Sequence, residues 1–382
     1  MTSIREAIKR LFTPVRPLPA GSYHYQAPAS ASQPCRLYLR LEPDGNGLLL
    51  VNASTVLHLN QTAAEYAYHM VTNTPQDQMT RQIATRYRVG RQQALDDYQE
   101  LVERIQTLAT TPDLDPEMFL GFERTAPYSQ KVSAPYRLDC ALTYRLPDNT
   151  NPAAAPNERV VSELETAGWF AILDKAWAAG IPHVVFTGGE PTLRDDLPQI
   201  IAHAEANGQV TGLLSDGLRL ANDDYLNTLL QTGLDHLMLI LETGNPLSWE
   251  ALEKTLAADL FVTAHITLTL QNVIDVPDML KRMVPMGVKS LSLSSADPSL
   301  LGRLGELRND AADLGLSLNW DLPVPYSAFN PVRLETQEDT PPTGAGQAWL
   351  YVEPDGDITP AQGIPHVLGN LLKDPWESIW QQ

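Results

Sequence analysis

A short stretch that follows a β-prone run decides how this sequence folds: Thr187-Gly188-Gly189-Glu190-Pro191-Thr192-Leu193. A pair of glycines allows the backbone to approach a ligand or another chain segment closely, because neither residue carries a Cβ atom. A carboxylate placed directly after such a pair suits an ammonium partner. Taken alone, the stretch is equally typical of a tight turn between a strand and a helix, so its surroundings decide between the two interpretations.

Strands and amphipathic helices alternate on both sides of this turn, from Pro135 to Trp320. Parallel βα units produce such an alternation, and we predict an α/β fold with a partial barrel of about six units. One helical pattern, Val160–Ala179, has an apolar stripe that contains Leu164 and Trp177. The predicted strands are Arg137–Thr143, His183–Thr187, Val210–Ser215, His236–Leu241, Thr263–Leu268, Ser290–Leu293 and Ser317–Trp320.

The residues before the barrel predict a second, smaller unit. Three short β-prone runs are followed by three helical patterns, at residues 61–71, 77–87 and 91–108, and this order predicts a winged-helix-like α+β domain. Residues 13–35 contain five prolines and are predicted to form an extended connector. The three β-prone runs are Arg36–Leu41, Gly47–Val51 and Thr55–Leu59.

Two more predicted strands, Trp349–Val352 and Ile358–Thr359, are joined by the turn residues Pro354-Asp355-Gly356 and indicate a small β-hairpin extension near the C-terminus. The predicted organisation has five parts. They are a basic amphipathic helix and connector at 1–35, the winged-helix-like domain at 36–110, a linker at 111–134, the barrel at 135–335 and the extension at 336–382.

The composition limits the classes of function. The 382 residues carry a net charge of −19, which disfavours a nucleic acid partner because proteins that grip phosphates are normally basic. No apolar run is long enough to span a membrane and the N-terminus lacks the pattern of a signal peptide, so the predicted compartment is the cytoplasm. The eight histidines are dispersed, which favours structural roles over a metal site.

The Gly-Gly-Glu stretch and the strand ends around it resemble the radical S-adenosylmethionine (SAM) enzymes. Leu142-Thr143-Tyr144-Arg145 is similar to the end of that family's first strand, and Leu213-Leu214-Ser215-Asp216-Gly217 is similar to its Thr-Asn-Gly strand end. In the family, the Gly-Gly-Glu motif contacts the methionyl amino group of SAM. The resemblance therefore implies a SAM-binding set: Gly188, Gly189, Glu190, Pro191, Ser215 and Asp216.

Two further segments resemble parts of peptide-modifying radical SAM enzymes. Residues 36–108 are similar to the small PqqD-like peptide-binding chaperone of pyrroloquinoline quinone biosynthesis, a type of domain also called a RiPP recognition element, which captures the leader of a precursor peptide. Residues 351–371 resemble a SPASM-type extension. The resemblance implies a peptide groove beside the last helix of the small domain, lined by Tyr98, Leu101 and Ile105, although burial in the domain's own core explains these three equally well.

The sequence departs from the family at the positions that hold iron–sulfur clusters. Where the family has cysteines, this sequence has Leu146, Thr150 and Ala153 in the barrel loop, and Thr343 and Ala361 in the extension. The sequence contains two cysteines in all, Cys35 and Cys140. Ile240 and Leu270 replace polar residues with which the family commonly contacts SAM. We therefore expect a vestigial SAM motif with no catalytic residue, no metal and no cofactor, neither a 4Fe-4S cluster nor tightly bound SAM.

The leading hypothesis is a catalytically degenerate radical SAM-like protein that binds a precursor peptide or partner protein in a RiPP or cofactor biosynthesis pathway. The first alternative is an enzyme, either a peptide-modifying radical SAM enzyme or one that uses the barrel for another small molecule without its own cluster. The second alternative is a DNA-binding regulator, which the winged-helix-like topology suggests and the acidic composition disfavours.

Overall fold

The computed structural model describes residues 15–28, 35–52, 55–111, 132–148, 160–295, 297–318 and 344–380. The chain divides between Ser133 and Ala134 into two compact units, an N-terminal unit and a barrel unit. Each unit has its own cluster of buried apolar side chains. Among the described residues, no helix is both long enough and apolar enough to cross a membrane.

The N-terminal unit is an antiparallel sheet with three helices. Its strands lie in the order β1-β2-β3-β4, so that β1 and β4 form the two edges of the described sheet. The strands are β1 (Gly21–Gln26), β2 (Arg36–Leu41), β3 (Gly47–Val51) and β4 (Thr55–Leu59). The helices are α1 (Gln61–Val71), α2 (Gln76–Tyr87) and α3 (Arg91–Thr110).

Strand β1 differs from the sequence prediction, which has an extended connector in this part of the chain. It pairs antiparallel with β2 along its whole length. Every second residue of β1 is aromatic or small, and the ring of Tyr23 packs edge-on against Tyr68 of α1, with 4.9 Å between the ring centroids. The prolines on both sides of β1 mark its ends and do not interrupt it, because Pro17, Pro19 and Pro28 all lie outside the strand.

The barrel unit is built on one continuous sheet of ten strands, in the order β11-β10-β9-β8-β7-β6-β5-β12-β13-β14. All neighbours from β11 to β12 are parallel, and the result is a partial barrel-like sheet. Strands β5 to β10 are Arg137–Thr143, His183–Gly188, Val210–Ser215, His236–Ile240, Phe261–Leu268 and Ser290–Ser295. Strands β11 to β14 are Ser317–Leu318, Trp349–Val352, Asp357–Thr359 and Gly369–Asn370.

Helices cover one face of this sheet. Alternate strand residues such as Leu138, Phe186 and Leu213 join the apolar cluster formed with the helices. We call the opposite face of the sheet the inner face. The helices are α4 (Thr166–Ala179), α5 (Leu197–Asn207), α6 (Asp223–Leu230), α7 (Pro246–Leu256), α8 (Val276–Met286), α9 (Leu301–Asp313) and α10 (Trp376–Ile379).

Two features of the predicted organisation differ from the structure. Helix α4 begins at Thr166 and not at Val160, because Glu163 and Leu164 bond to other segments: the Glu163 carboxylate accepts a hydrogen bond from Thr143, and Leu164 N donates to Pro354 O over 2.8 Å. The C-terminal hairpin is not a separate appendix. Its first strand, β12, pairs in parallel with β5 and so continues the barrel sheet.

Candidate functional site

The turn after β6 is held against the end of β5 by its backbone. Gly189 N donates to Thr143 O over 2.7 Å, and Glu190 N donates to Arg145 O over 2.8 Å. A Cβ atom on Gly188 would lie 2.2 Å from Thr143 O, and one on Gly189 would lie 2.2 Å from Arg145 O. Gly188 also has a φ of +116°. The glycine pair is thus required by contact between two chain segments, irrespective of any ligand.

The carboxylate of Glu190 joins the ends of β6 and β7. The residue is 2% exposed. Its Oε1 accepts hydrogen bonds from Thr192 N and from Ser215 Oγ, both over 2.9 Å, and its Oε2 accepts one from Asp216 N over 2.8 Å. Three of the roughly four acceptor positions of a carboxylate are therefore filled by the chain itself.

Three successive strand ends each carry a carboxylate: Glu190 after β6, Asp216 after β7 and Glu242 after β8. We call these three residues the acidic row. Burial, together with the charges of Glu190 and Glu242, raises the pKa of Asp216 to about 8. The nearby guanidinium of Arg219 is turned to Thr192 O and lies over the ring of Tyr225, 4.3 Å from its centroid. This arrangement favours a cationic ligand, because a positive charge relieves the repulsion among the three crowded carboxyl groups when they ionise.

Two hydroxyl groups beside this acidic row are buried without a hydrogen-bond partner in the described part of the chain, Thr187 Oγ1 and Thr192 Oγ1. Both residues have an exposed fraction of 0%. Buried hydroxyls normally find a partner in a folded protein. Thr187 lies near the end of β6 and Thr192 in the turn that contains Glu190, so both hydroxyls are placed for a ligand site at this end of the sheet.

A buried phenol–carboxylate group lies at the ends of β5 and β12. The hydroxyl of Tyr144 donates to the Glu353 carboxylate, and the hydroxyl of Tyr351 lies 3.4 Å from that of Tyr144. Burial raises the pKa of Tyr351 well above its ordinary value, and the neighbouring Tyr144 adds to this effect. The contact ties the extension to the strand end that precedes the predicted cluster loop.

The predicted cluster positions are only partly within the described residues. Leu146 lies just beyond β5 in irregular backbone and is half-buried. Ala361 is buried, and its carbonyl accepts a hydrogen bond from Thr359 Oγ1 over 3.0 Å. Thr150, Ala153 and Thr343 lie outside the described residues. Of the two other departures from the family, Ile240 ends β8 and Leu270 lies in the loop after β9, 61% exposed.

The N-terminal unit contains a cavity of about 260 Å³. Its lining is uncharged and comes from β1, β2, α1 and α3. Of the predicted peptide-binding residues, Tyr98 and Ile105 line the cavity, and Ile105 is also part of the domain core, to which Leu101 belongs. The complete lining is Tyr25, Ala27, Cys35, Leu37, Met70, Asn73, Tyr98, Val102, Ile105, Gln106, Ala109 and Thr110.

Sequence reasoning missed a pair of histidines on the inner face. His183 of β6 and His236 of β8 meet across β7, with 2.6 Å between their Nε2 atoms. They meet because β7 has Gly212 between them, where a Cβ atom would lie 2.1 Å from His236 Cε1. Burial, with the charge of Arg137, lowers the pKa of His236 to about 4, and burial lowers that of His183 well below its ordinary value.

Comparison with known proteins assigns the fold. Residues 151–267 match the model of the radical SAM superfamily. The PqqA peptide cyclase of Granulibacter bethesdensis is 29% identical over 180 residues, which cover 43% of this chain and 48% of the relative. The PqqA peptide cyclase of Xanthomonas campestris pv. campestris is 35% identical over 119 residues, 30% of this chain and 31% of the relative. The matched stretch thus spans about half of the first relative and about a third of the second.

Solved structures resemble a larger part of the chain. Streptococcus suis SuiB, bound to the precursor peptide SuiA, aligns with 90% of this chain and 87% of its own, with a TM-score of 0.58 and 14% identity. The barrel unit therefore has a radical SAM fold of mixed α/β type that matches SuiB. SuiB has also been solved with SAM bound, with a TM-score of 0.57, 14% identity and coverage of 94% of this chain and 88% of its own.

The expectation that this chain takes no cofactor is wrong. The family model that matches is that of radical SAM proteins, and the structures that share the fold include SuiB with SAM bound. At the strand ends the residues fit such a ligand, because Asp216 and Glu242 supply acceptors for an amino group and Thr187 supplies a buried hydroxyl without a partner in the described chain. The sequence prediction did not consider the row of carboxylates formed by Glu190, Asp216 and Glu242.

The residues do not fit a cluster held by three cysteines of this chain. The three positions carry Leu146, Thr150 and Ala153, and Cys140 is buried within β5 with its pKa raised by burial. Within the described ranges, no group of three or more His, Cys, Asp and Glu side chains has the arrangement of a metal site.

Proposed function

We propose that this protein is a peptide-binding member of a radical SAM-type peptide-modification system, and that it is catalytically degenerate because it does not itself cleave SAM reductively. The observation that carries the proposal is the uncharged cavity of the N-terminal unit, which lies between the edge strand β1 and helix α3. The ligand of this cavity is a precursor peptide or a partner protein of the same pathway.

The chemistry of the cavity supports a peptide ligand. Tyr98, Val102 and Ile105 form an apolar wall, and Asn73, Gln106 and Thr110 add neutral polar groups. A peptide that adds to the edge of a sheet forms main-chain hydrogen bonds and places alternate side chains in such a pocket. The solved SuiB–SuiA complex supports a precursor peptide as the class of ligand.

The barrel supports a second ligand, SAM, at the carboxyl ends of the strands. When bound, SAM brings a cationic amino group and a sulfonium centre to this acidic row. Asp216 and Glu242 are the residues that would hold the amino group, while Glu190 fixes the ends of β6 and β7. Because Leu146, Thr150 and Ala153 offer no thiolate, we assign this site to binding and not to reductive cleavage.

The cavity is tested by a charge introduced into its wall. Val102 is half-buried in the lining, so a Val102→Glu substitution places a carboxylate in an uncharged pocket. We expect at least tenfold weaker binding of fluorescein-labelled synthetic peptides that cover the short open reading frames next to the gene, measured by fluorescence anisotropy with the full-length protein.

The matched control is Gln99→Glu, which adds the same charge on an exposed position of the same helix. It should leave the peptide affinity within twofold of the unchanged protein. Circular dichroism melting curves check that both variants are folded. Equal affinities for the two variants, or no binding of any of these peptides to the unchanged protein, would contradict the proposal.

A further inference from the structure

The acceptors at the strand ends are not equally available to a ligand. Glu190 receives three hydrogen bonds from Thr192, Ser215 and Asp216. The Asp216 carboxyl group receives one within the described residues, from Leu218 N to Oδ1 over 2.9 Å, and it also shares a side-chain hydrogen bond with Glu190. Glu242 likewise receives one, from the side chain of Asn245 to Oε2 over 2.9 Å. The spare acceptor capacity therefore lies on Asp216 and Glu242.

Asp216 and the partnerless hydroxyl of Thr187 point to the same face of the sheet. A side chain at Gly212 would run into His236, and His236 meets His183, so all three positions belong to the inner face. Side chains alternate along a strand, so residues separated by an even number share a face. Thr187 is four residues beyond His183, and Asp216 is four residues beyond Gly212. The fully buried hydroxyl of Thr187 is thus directed to the side on which Asp216 lies.

We propose that Asp216, with Glu242, holds the α-amino group of bound SAM in this chain, and that Glu190 is a positioning residue that ties two strand ends together. This assignment rests on the proposed binding of SAM to the barrel. It follows from the count of acceptors, because an ammonium group needs carboxylate oxygens that the chain has not already filled.

The crowding of the carboxylates of Glu190, Asp216 and Glu242 makes the affinity for SAM depend on pH. The groups that face Asp216 are Glu190 from the turn after β6 and Glu242 from the end of β8, and the neighbouring Arg219 is engaged with Thr192 and Tyr225. Without a cation, Asp216 and Glu190 share a proton at neutral pH, since burial and the neighbouring carboxylates raise the pKa of Asp216 to about 8. An ammonium group that enters replaces this proton. The affinity should therefore rise about tenfold from pH 6.5 to pH 7.5, with release of one proton.

The test is isothermal titration calorimetry of the full-length protein with SAM, in buffers of different ionisation enthalpy. The control ligand is 5′-methylthioadenosine, which keeps the adenosine moiety but lacks the sulfonium charge and the methionyl chain with its α-amino group. We expect proton release and a rise in affinity with pH for SAM, and neither for methylthioadenosine. Asp216→Asn should weaken SAM at least tenfold and remove its pH dependence, with methylthioadenosine affinity unchanged, which also shows that the variant is folded.

Asp195→Asn is the matched control, because Asp195 is exposed in the same turn region. It should leave both affinities unchanged. Glu190→Gln should weaken both ligands alike and lower the urea midpoint, as expected of a positioning residue. SAM binding without proton release, or an equal loss of both ligands in Asp216→Asn, would overturn this inference alone. No binding of SAM to the unchanged protein would overturn it together with the proposed role of the barrel.

Discussion

Gly188 and Gly189 show how a motif is maintained by packing as well as by ligand binding. Each glycine faces a carbonyl oxygen at the end of β5, close enough to exclude a methyl group. The turn would keep its glycines even if the site lost every ligand. A Gly-Gly-Glu stretch therefore predicts this strand-end geometry more directly than it predicts chemistry.

The first prediction concerns Gly189→Ala. The added methyl group meets backbone, which cannot move aside as a flexible side chain can, so we expect a loss of about 1–3 kcal/mol in the free energy of unfolding. The measurement is urea unfolding followed by tryptophan fluorescence. All seven tryptophans lie between residues 169 and 380, so this signal reports on the barrel unit.

Gly305→Ala is the matched control. Gly305 is exposed within α9, and a methyl group there meets nothing within 4 Å, so this substitution should stabilise the unit by about 0.5–1 kcal/mol. If both substitutions change stability equally, the close approach at Gly189 does not constrain the turn.

Residues differ in how far the sequence determined their roles. Glu242 directly follows a predicted strand, so its place in the acidic row was within reach of the sequence. The hydrogen bonds that fill the acceptor positions of Glu190 could not be predicted from the sequence, because the donors Ser215 and Asp216 come from another strand and meet Glu190 only after folding. On α3, Tyr98, Leu101 and Ile105 share a helical stripe, and the stripe alone does not separate core from cavity.

At the scale of elements, boundaries were predicted well where strands are bounded by turn residues. Strands β2 to β5 and β7 have the predicted limits. Strand β1 and the start of α4 were missed, because both depend on contacts with distant segments: β1 on β2, and residues 160–165 on the extension and the turn after β6. The partnership of β12 with β5 was missed for the same reason.

The second prediction concerns the two histidines that meet across β7. Their pKa values in the fold lie below the ordinary value of about 6.5, so the unfolded chain binds protons more readily than the folded one. The free energy of unfolding of the barrel unit should therefore be highest above pH 6.5, and it should decrease as the pH falls from 6.5 to about 4. The slope of the free energy of unfolding against pH should reach up to about 1.4 kcal/mol per pH unit for each imidazole.

Urea unfolding of the barrel unit at pH values from 4 to 7.5 measures this slope. His236→Gln should make it shallower, because one of the two proton-binding groups is removed. His366→Gln, at an exposed position in the described C-terminal segment, should leave the slope unchanged. An unaltered slope in His236→Gln would show that the pair does not control the acid sensitivity.

At the scale of the whole molecule, the missing thiolates predict that the protein does not cleave SAM reductively. Under anaerobic conditions with iron, sulfide, dithionite and SAM, we expect the unchanged protein to form 5′-deoxyadenosine no faster than a sample without protein, because Leu146, Thr150 and Ala153 supply no thiolate ligand. Liquid chromatography with mass spectrometry measures the product.

The sharpest comparison is the triple substitution Leu146→Cys, Thr150→Cys and Ala153→Cys, which restores three thiols at the family's spacing. Formation of 5′-deoxyadenosine above background by this variant alone would support the proposal that the chain does not cleave SAM because it lacks these thiolates. Formation by the unchanged protein would instead favour the alternative of a peptide-modifying enzyme.

The pairing of β12 with β5 also bears on how the polypeptide emerges from the ribosome. Trp349 pairs with Arg137, so the two strands are synthesised more than two hundred residues apart. Until residues 349–352 have left the exit tunnel, β5 presents an open edge, and such an edge can pair with a neighbouring nascent chain on the same polysome. Among the described strands, β12 is the last parallel strand to be translated, and its arrival covers the β5 edge of the growing barrel.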